Sequence, residues 1–162
     1  MKTAKTEQGR VTKIILALLL ILATLVALTA CAGGKVDDTG HATIVVAVGE
    51  DVRAYDVPLD KINGEVGAIA VLDYLKGEGK LDYTSADTGY GPYLTKVGHL
   101  AEDASAGIYV GIWTSVTADQ DCESVYSTTV TFEGEELVTA AVGLGQLSVP
   151  DGAVIYFGEL KY

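Results

Sequence analysis

The chain has 162 residues, of which 49% are hydrophobic, and its 22 acidic against 11 basic residues give a net charge of −11. This length and apolar fraction support one folded domain with a substantial core, which excludes an intrinsically disordered chain. The acidic balance opposes binding to nucleic acid, because phosphate backbones are bound through Lys and Arg, and it opposes attraction to anionic lipid surfaces.

The N-terminus has the pattern of an export signal. Four basic residues and one acid precede an uncharged apolar run over residues 14–30. This run is shorter than the roughly 20 residues that a helix needs to cross the hydrocarbon core of a bilayer. A basic segment, a short apolar segment and small residues are typical of a cleaved signal peptide, which we predict over residues 1–30.

The sequence LTAC at Leu28–Cys31 resembles the bacterial lipobox, a branched apolar residue followed by two small residues and a cysteine. The resemblance implies that Cys31 receives a diacylglycerol thioether and becomes the N-terminus of a lipoprotein carrying fatty acids such as palmitate. Two or three acyl chains hold a protein at a membrane without spanning it. We therefore expect a lipid anchor on the extracytoplasmic face of a bacterial cell membrane. The alternative is a chance cysteine after an ordinary signal peptide or an uncleaved anchor.

Small and polar residues follow the lipobox, and we predict a lipidated cysteine and a flexible tether over residues 31–40. Residues 41–162 are then predicted to form a single domain. With Cys31 lipidated, Cys122 is the remaining cysteine, so no disulfide forms within the mature chain. Cys122 is predicted to be a small buried hydrophobic residue, and the alternative is a bridge between two molecules.

The domain is predicted to be α+β, with a mainly antiparallel sheet and one helix. The helix begins after Asn63, which can cap it, and carries apolar residues at every third position from Val66 to Leu75 before Gly77 ends it. An acidic glycine turn at residues 133–136 predicts a hairpin. Strands are predicted, in chain order, at Ala42–Val48, Ala54–Leu59, Leu81–Ser85, Tyr93–Val97, Ile108–Val116, Ser127–Phe132, Glu136–Val138 and Ala153–Phe157.

This order of elements and three short motifs resemble the transcobalamin C-terminal-like domain. The motifs are GYGPYLTKVGHL at residues 89–100, GIYVGIWTSV at 107–116 and VPDGAVIYFG at 149–158. The resemblance implies a β-grasp-like fold. Vertebrate members of the family use this unit as one of two lobes that close over cobalamin, which implies a corrinoid or tetrapyrrole ligand. The chain lacks the helical lobe, so the resemblance implies an open binding face that needs a partner or a dimer for tight capture.

The aromatic strand at residues 107–116 presents a candidate site. Strand alternation places its aliphatic residues on the core face and Tyr109, Gly111 and Trp113 on the other face. Tyr109 and Trp113 then stand about 7 Å apart with a glycine between them, which predicts a notch for a planar macrocycle or a sugar ring. Tyr90 and Tyr93 are candidates for its rim. The alternative is that these aromatic rings pack against a loop or a second layer.

No pattern in the sequence indicates catalysis or a cofactor. Nucleophile elbows, Walker-type glycine loops and HExxH are absent, so we predict no enzyme activity. His41 and His99 lack cysteine or acidic partners at metal-ligand spacing and are predicted to be surface residues. Asp119, Asp121 and Glu123 alternate at a spacing that could direct carboxylates at calcium, but solvated loop charges are the default interpretation and no metal site is predicted.

These observations favour a membrane-anchored binding module whose ligand is a planar, cobalamin-like or corrinoid-like molecule. The candidate ligand-binding residues are Tyr90, Tyr93, Tyr109 and Trp113. The alternative is an adhesive or scaffolding surface module that binds a protein or a cell-wall glycan and has no small-molecule pocket.

Overall fold

The computed structural model describes residues 34–62, 66–88 and 91–161. The predicted signal peptide, Cys31, Asn63 and Tyr90 lie outside these ranges. The regular elements of the described residues are β1 (His41–Val48), β2 (Asp51–Pro58), α1 (Ala68–Gly77), β3 (Tyr83–Thr88), β4 (Gly91–Val97), β5 (Leu100–Ala101), β6 (Ile108–Thr114), β7 (Thr129–Phe132), β8 (Glu135–Thr139) and β9 (Val154–Lys161).

The larger of two sheets has six strands in the order β2-β1-β9-β6-β8-β7. It is mixed, because β1 pairs in parallel with the last strand, β9, while the other neighbouring pairs are antiparallel. The strand β8 pairs with β6 through two residues at one end. The α+β prediction is confirmed at this level: the described residues form a curled mixed sheet, a small antiparallel sheet and one α-helix.

The predicted hairpin is confirmed by β7 and β8. Phe132 pairs with Glu135, so a two-residue loop of Glu133 and Gly134 joins the strands. Both loop residues have positive φ, 50° at Glu133 and 87° at Gly134. This is the backbone of the tight turns that match the twist of paired strands, and glycine adopts it at little cost.

The smaller sheet consists of β3, β4 and β5. Its first strand begins at Tyr83, two residues later than predicted, and its third strand was not predicted. Val97 pairs with Leu100, so Gly98 and His99 form a two-residue turn between β4 and β5. Because β5 is two residues long, it has no alternation that a sequence pattern could reveal.

The helix α1 is shorter than predicted. Gly67 precedes it with a φ of 72°, which glycine adopts readily, and the chain becomes helical at Ala68. Val66, predicted to begin the apolar stripe, is exposed and forms an isolated bridge with Lys35. The buried face of the helix consists of Ala68, Ala70, Val71, Leu72 and Leu75.

Two hydrophobic clusters lie on opposite faces of the six-stranded sheet. We call the face that carries α1 the helix face, and the opposite one the outer face. The cluster on the helix face is large and contains Ile44, Leu72 and Phe157, all fully buried. The cluster on the outer face is small, and it consists of Val45, Trp113, Leu137 and Val154 with Val130, Phe132, Tyr156 and Leu160 packed around them.

The described part of the predicted tether is folded, which corrects that prediction. Val36 is buried and bridges to Val149, and the amide of Asp37 donates to the Val149 carbonyl over 3.0 Å. The amide of Val149 in turn donates to the Lys35 carbonyl over 2.8 Å. Val36 buries its apolar side chain and its neighbours make main-chain hydrogen bonds to Val149. Residues 34–40 therefore belong to the folded unit rather than to a linker.

None of the helices in residues 34–62, 66–88 and 91–161 has the length and apolar character that crossing a bilayer requires.

Candidate functional site

The three candidate ligand-binding residues that the structure describes do not form one site. Tyr90 lies outside the described residues. Tyr93 on β4 and Tyr109 on β6 lie close enough to interact electrostatically, together with the carboxylate of Glu102. Trp113 belongs to the small hydrophobic cluster on the outer face of the sheet.

The predicted notch between Tyr109 and Trp113 is filled, which corrects the prediction. A Cβ atom added to Gly111 would overlap the six-membered part of the Trp113 indole. The indole therefore lies over the glycine instead of standing beside it, and Trp113 is only 4% exposed. Its Nε1 donates a hydrogen bond to Thr128 Oγ1 over 3.0 Å, which fixes the ring in this position. Trp113 is therefore packed against the sheet, as the alternative interpretation expects, and does not form an exposed surface for a ligand.

A second glycine explains why a depression remains on this face. Gly158 of β9 pairs directly with Gly111 of β6, so two neighbouring positions of the outer face have no side chain. The Trp113 indole covers the first. At the second, an added Cβ would lie 2.9 Å from the Tyr156 ring and 3.4 Å from the Trp113 ring. Two aromatic rings therefore flank a floor made of main chain.

The pocket at this place has a volume of about 190 Å³. It lies just beyond Val46 and Phe157, the last registered pair of β1 and β9, before β1 turns into β2. We call it the outer pocket. Its lining residues are Ala47, Gly49, Trp113, Val130, Tyr156, Gly158 and Glu159.

The sequence patterns did not predict most of the residues that line the outer pocket. The alternation of β9 places Tyr156 and Gly158 on one face, as that of β6 places Gly111 and Trp113. The sequence does not show that Gly111 lies opposite Gly158, because a local residue pattern does not reveal the pairing of strands about 45 residues apart.

The aromatic walls of the outer pocket have a defined geometry. The Trp113 and Tyr156 ring centroids are 5.9 Å apart with their planes at 86°, the edge-to-face arrangement that aromatic pairs favour. Burial raises the pKa of the Tyr156 hydroxyl above its ordinary value. The neutral phenol is therefore maintained at physiological pH, and this wall contributes an apolar ring with a polar tip.

Glu159 lines the outer pocket as part of β9, but strand alternation directs its side chain to the helix face, with Phe157 and the paired Val110. Glu159 Oε2 lies 2.9 Å from Lys161 Nζ, two residues along the same strand. The glutamate side chain is 25% exposed and that of the lysine 64%. Water can therefore reach both charges, and the pair does not face the outer pocket.

Tyr93, Glu102 and Tyr109 form a separate surface patch. Burial, the hydrogen bond to Glu102 and the charge of that carboxylate, with a smaller effect of Tyr109, raise the pKa of the Tyr93 hydroxyl. The patch is a polar cluster that joins β4, the residue after β5, and β6.

The remaining polar candidates make structural contacts. His41 is exposed, as predicted, with Nδ1 2.9 Å from Asp56 Oδ2. The His99 side chain is 19% exposed, so it is more buried than predicted, and its Nε2 lies 3.1 Å from the main-chain oxygen of Asp51. Asp119 accepts a 2.6 Å hydrogen bond from the Ser148 amide.

No group of three or more metal-ligating side chains occurs in the part of the chain that the structure describes. Asp121, the second acid of the predicted alternating series, accepts a hydrogen bond from the Ser124 amide over 3.0 Å. The Asp121 carboxylate therefore caps a turn of its own loop, whereas the Asp119 carboxylate joins this loop to the distant segment at Ser148.

The loop before β7 carries exposed apolar side chains. Val125 is 90% exposed and Tyr126 72%. Cys122, in the same loop, is a free and exposed thiol, which corrects the prediction that it is buried. The loop is rich in polar and acidic residues, so it has too few apolar neighbours to bury a thiol.

No family model and no curated protein matches this chain. A crystal structure from Ruminococcus gnavus ATCC 29149, described as "a putative metal binding protein", is 17% identical with a TM-score of 0.47, and the match covers 76% of this chain and 98% of that chain.

Haptocorrin in complex with Cbi is also 17% identical, with a TM-score of 0.49. The match covers 76% of this chain and 25% of the haptocorrin chain, so this chain spans about a quarter of that protein's length. Both comparisons are likenesses of fold at low identity, and neither assigns a ligand or an activity to this chain.

Proposed function

We propose that this protein is a lipid-anchored, extracytoplasmic binding module that holds a small planar ligand through the outer pocket. In this proposal Cys31 carries the lipid, the protein lies on the outer side of a bacterial cell membrane, and its activity is binding rather than catalysis. The lipobox-like sequence supports the anchor, and the absence of catalytic motifs in the sequence supports the lack of enzyme activity.

The observation that carries the proposal is the pair of aromatic rings beside a side-chain-free floor. Trp113 and Tyr156 flank Gly158, and the space left beside them measures about 190 Å³. Planar molecules bind well between or against aromatic rings, because flat apolar surfaces bury area at little conformational cost. A packed sheet face with no function would be expected to fill this space with a side chain.

The volume of the outer pocket sets what it can hold. Pockets for drug-sized molecules measure about 300–1,000 Å³. A space of about 190 Å³ takes one ring or side group, so the body of a larger planar ligand lies outside it, across the open surface. This agrees with an open lobe that needs a partner or a dimer for tight capture.

The corrinoid-like class of ligand comes from the sequence resemblance to the transcobalamin C-terminal-like domain. The strand arrangement supports the β-grasp-like fold that this resemblance implies. An N-terminal hairpin of β1 and β2 is followed by α1, and the last strand, β9, returns to lie parallel to β1. We therefore include the β-grasp-like fold in the proposal.

A fluorescence titration tests the ligand. Trp113 is the only tryptophan of the chain, so emission reports on the outer pocket alone. The full-length protein in a neutral detergent is titrated with cobinamide, cobalamin and haem, with correction for inner-filter absorption. We expect saturable quenching that the substitution Gly158→Ala removes, because the new methyl group occupies the floor.

Gly77→Ala is the matched control, since no atom lies within 4 Å of a Cβ added at that helical position. It should leave the titration unchanged. Quenching that persists in Gly158→Ala, or emission that stays flat with all three ligands, contradicts the proposed site and ligand class.

The anchor is tested separately. Cys31→Ser should move the protein from the membrane fraction to the soluble fraction and abolish incorporation of labelled palmitate, because the thioether cannot form. If the variant still incorporates label and still sediments with membranes, the lipid-anchor proposal is wrong.

A second candidate function is a surface module that binds a protein or a cell-wall glycan. The exposed side chains of Val125 and Tyr126 favour it, since adjacent exposed apolar residues are common at interaction sites. Immobilised wild-type protein and the double variant Val125→Ser with Tyr126→Ser are compared for retention of purified cell-wall glycan and surface proteins. Retention that depends on the two residues, with flat Trp113 emission in the small-molecule titration, favours this function over the first.

A further inference from the structure

The two edge strands of the six-stranded sheet differ in how they are protected. At one edge lies β2, which carries Asp51, Arg53 and Asp56 and ends at Pro58. At the other edge lies β7, whose residues Thr129–Phe132 include no charge and no proline. Charged side chains and proline on an edge strand oppose the addition of a further strand. The edge at β7 therefore lacks the protection that the edge at β2 has.

The register of β7 with β8 shows which of its main-chain groups face outward. Successive residues of a strand direct their N–H and C=O groups to opposite sides. Thr128, directly before β7, faces β8, because its carbonyl accepts the Thr139 amide over 3.0 Å. Every second residue after it faces β8 as well, so Thr129 and Thr131 face away. We call the main-chain groups of Thr129 and Thr131 the free edge.

The free edge is unpaired within the described part of the chain. No residue of 34–62, 66–88 or 91–161 makes a main-chain hydrogen bond to Thr129 or Thr131 on that side. Both residues are exposed. Thr, Val and Phe favour extended backbone, so β7 is well suited to pair with another strand. An added strand bonds to exposed donors and acceptors of this kind, and these main-chain bonds supply affinity.

The surroundings of the free edge are acidic. Residues 119–136, which comprise the loop before β7, β7 itself and the turn and first two residues of β8, contain no Lys or Arg. Their acids are Asp119, Asp121, Glu123, Glu133, Glu135 and Glu136. Negative charge attracts cationic partners. A second copy paired through the same edge would bring its own acids to this place, and like charges on paired strands are destabilising. The charge therefore favours a basic partner over a second copy.

The two faces of β7 set the side-chain pattern of the partner. Val130 and Phe132 pack against the outer-face cluster, and Thr129 and Thr131 lie exposed on the opposite face. Side chains on the same face of neighbouring strands contact each other. Apolar side chains at every second position of an added strand therefore extend the outer-face cluster. The side chains between them stay in water, where basic groups meet the acidic surroundings.

We propose that the free edge of β7 binds, by strand addition, an extended segment of a partner protein in which apolar residues alternate with Lys or Arg. This inference goes beyond the proposed function and does not depend on ligand binding in the outer pocket. It also differs from the second candidate function, because the contact is made by the main chain of β7 rather than by the side chains of Val125 and Tyr126.

The test uses fluorescently labelled, acetylated six-residue peptides and the full-length protein in neutral detergent, with fluorescence anisotropy as the readout. The first peptide alternates Lys and Val, and the second alternates Glu and Val. Two further peptides are isomers of each other: they alternate Lys and Val and carry backbone N-methyl groups on either the Lys or the Val residues. The isomers have the same charge and composition, so they differ only in which side of the strand can donate hydrogen bonds.

In antiparallel pairing, the residues on the same face as Thr129 and Thr131 are the ones whose amides face β7. Methylation of the Lys amides should therefore weaken binding about tenfold or more, whereas methylation of the Val amides should leave it nearly unchanged. The Glu peptide should show no measurable binding. Equal affinity of the two isomers, or equal affinity of the Lys and Glu peptides, overturns strand addition by a basic segment.

A proline variant tests the edge from the side of the protein. Thr131→Pro removes an outward N–H and leaves the bonds to β8 in place, a position where edge strands tolerate proline. It should weaken binding of the Lys peptide about tenfold. Ala54→Pro is the matched control, because it places proline at an outward position of β2, the opposite edge. Trp113 emission, which reports on the cluster that Val130 contacts, shows whether the hairpin stays in place.

A charge variant separates the edge from the general field of the protein. Glu136 pairs directly with Thr131, and Glu136→Gln should weaken binding of the Lys peptide a few-fold. Glu78→Gln removes the same charge at an exposed position after α1 and should have no effect. An equal loss in both variants shows that only overall charge matters and overturns the assignment. A protein dimer that Thr131→Pro dissociates, with no peptide bound, shows that a second copy occupies the edge and also overturns it.

Discussion

The two faces of the six-stranded sheet are built from alternate residues of the same strands, yet they differ in how completely they are filled. On the helix face, Phe157 of β9 is fully buried in a large aliphatic cluster under α1. On the outer face, its neighbours Tyr156 and Gly158 border a pocket. Residues of α1 and of the smaller sheet pack on one face, whereas residues of the β7–β8 hairpin pack on part of the other. The residues that contribute most to stability and the residues of the candidate site therefore lie on opposite faces of the same strand.

The largest effect should come from the helix face. Phe157→Ala removes a fully buried ring, and losses of this kind lower the free energy of unfolding by about 3–5 kcal/mol. Urea denaturation followed by far-UV circular dichroism measures it. A loss below that of an ordinary surface substitution would show that the helix face does not carry the stability assigned to it.

A smaller effect is expected at Gly111, one of the two glycines of the outer face. Gly111→Ala places a methyl group where the Trp113 indole lies, and overpacking of this kind costs about 1–3 kcal/mol. The indole must shift, so its emission maximum should change as well. Gly77→Ala, with open space around the new methyl group, should be neutral or slightly stabilising. Equal behaviour of the two variants would mean that Trp113 does not lie over Gly111.

The hydrogen bond that holds the indole should contribute less. Thr128→Val removes the acceptor of Trp113 Nε1, and the expected loss in the free energy of unfolding is about 0.5–1.5 kcal/mol. The same variant should broaden the distribution of Trp113 emission lifetimes, because the ring loses its fixed position. Unchanged stability and unchanged lifetimes would argue against this anchor.

The smallest effect concerns a polar contact between α1 and β3. Burial, followed by the hydrogen bond that Tyr83 donates to Asp73, raises the pKa of Tyr83 from 10.0 to about 12. Because the folded state favours the neutral phenol, this stabilisation is complete below pH 10 and is lost as the pH rises from 10 towards 12. Tyr83→Phe should therefore show a smaller fall in stability than wild type over that interval, measured by urea denaturation.

Tyr93 and Tyr156 also have a raised pKa and contribute a loss of the same sign. Comparison of wild type with Tyr83→Phe isolates the single residue. If the two curves fall in parallel, Tyr83 does not titrate as its contacts require.

The sequence predicted most strands and the hairpin because their signals are local. The β-branched run of β1 and the Glu133–Gly134 turn need no knowledge of the rest of the chain. The helix began late because Gly67, with its positive φ, ends the preceding segment, and an apolar Val66 alone does not make a helix. The short β5 carried no pattern at all.

The candidate site was predicted only in part. Alternation put Trp113 and Tyr109 on one face, but it could not show that the indole would fold over Gly111. Tyr156 and Gly158 required the pairing of β6 with β9, and Val130 required the hairpin to approach the outer face. These contacts depend on the register between distant strands, which the residue pattern along a single sequence does not reveal.

Mass spectrometry of retained small molecules tests the central claim most directly. Full-length wild type, Gly158→Ala and Gly77→Ala are purified in parallel after incubation with the same bacterial extract, and the bound compounds are released and identified. The account predicts a ring-containing compound with wild type and Gly77→Ala that is depleted from Gly158→Ala. Equal amounts of the same compound on all three proteins would place binding elsewhere and contradict the outer pocket as the site.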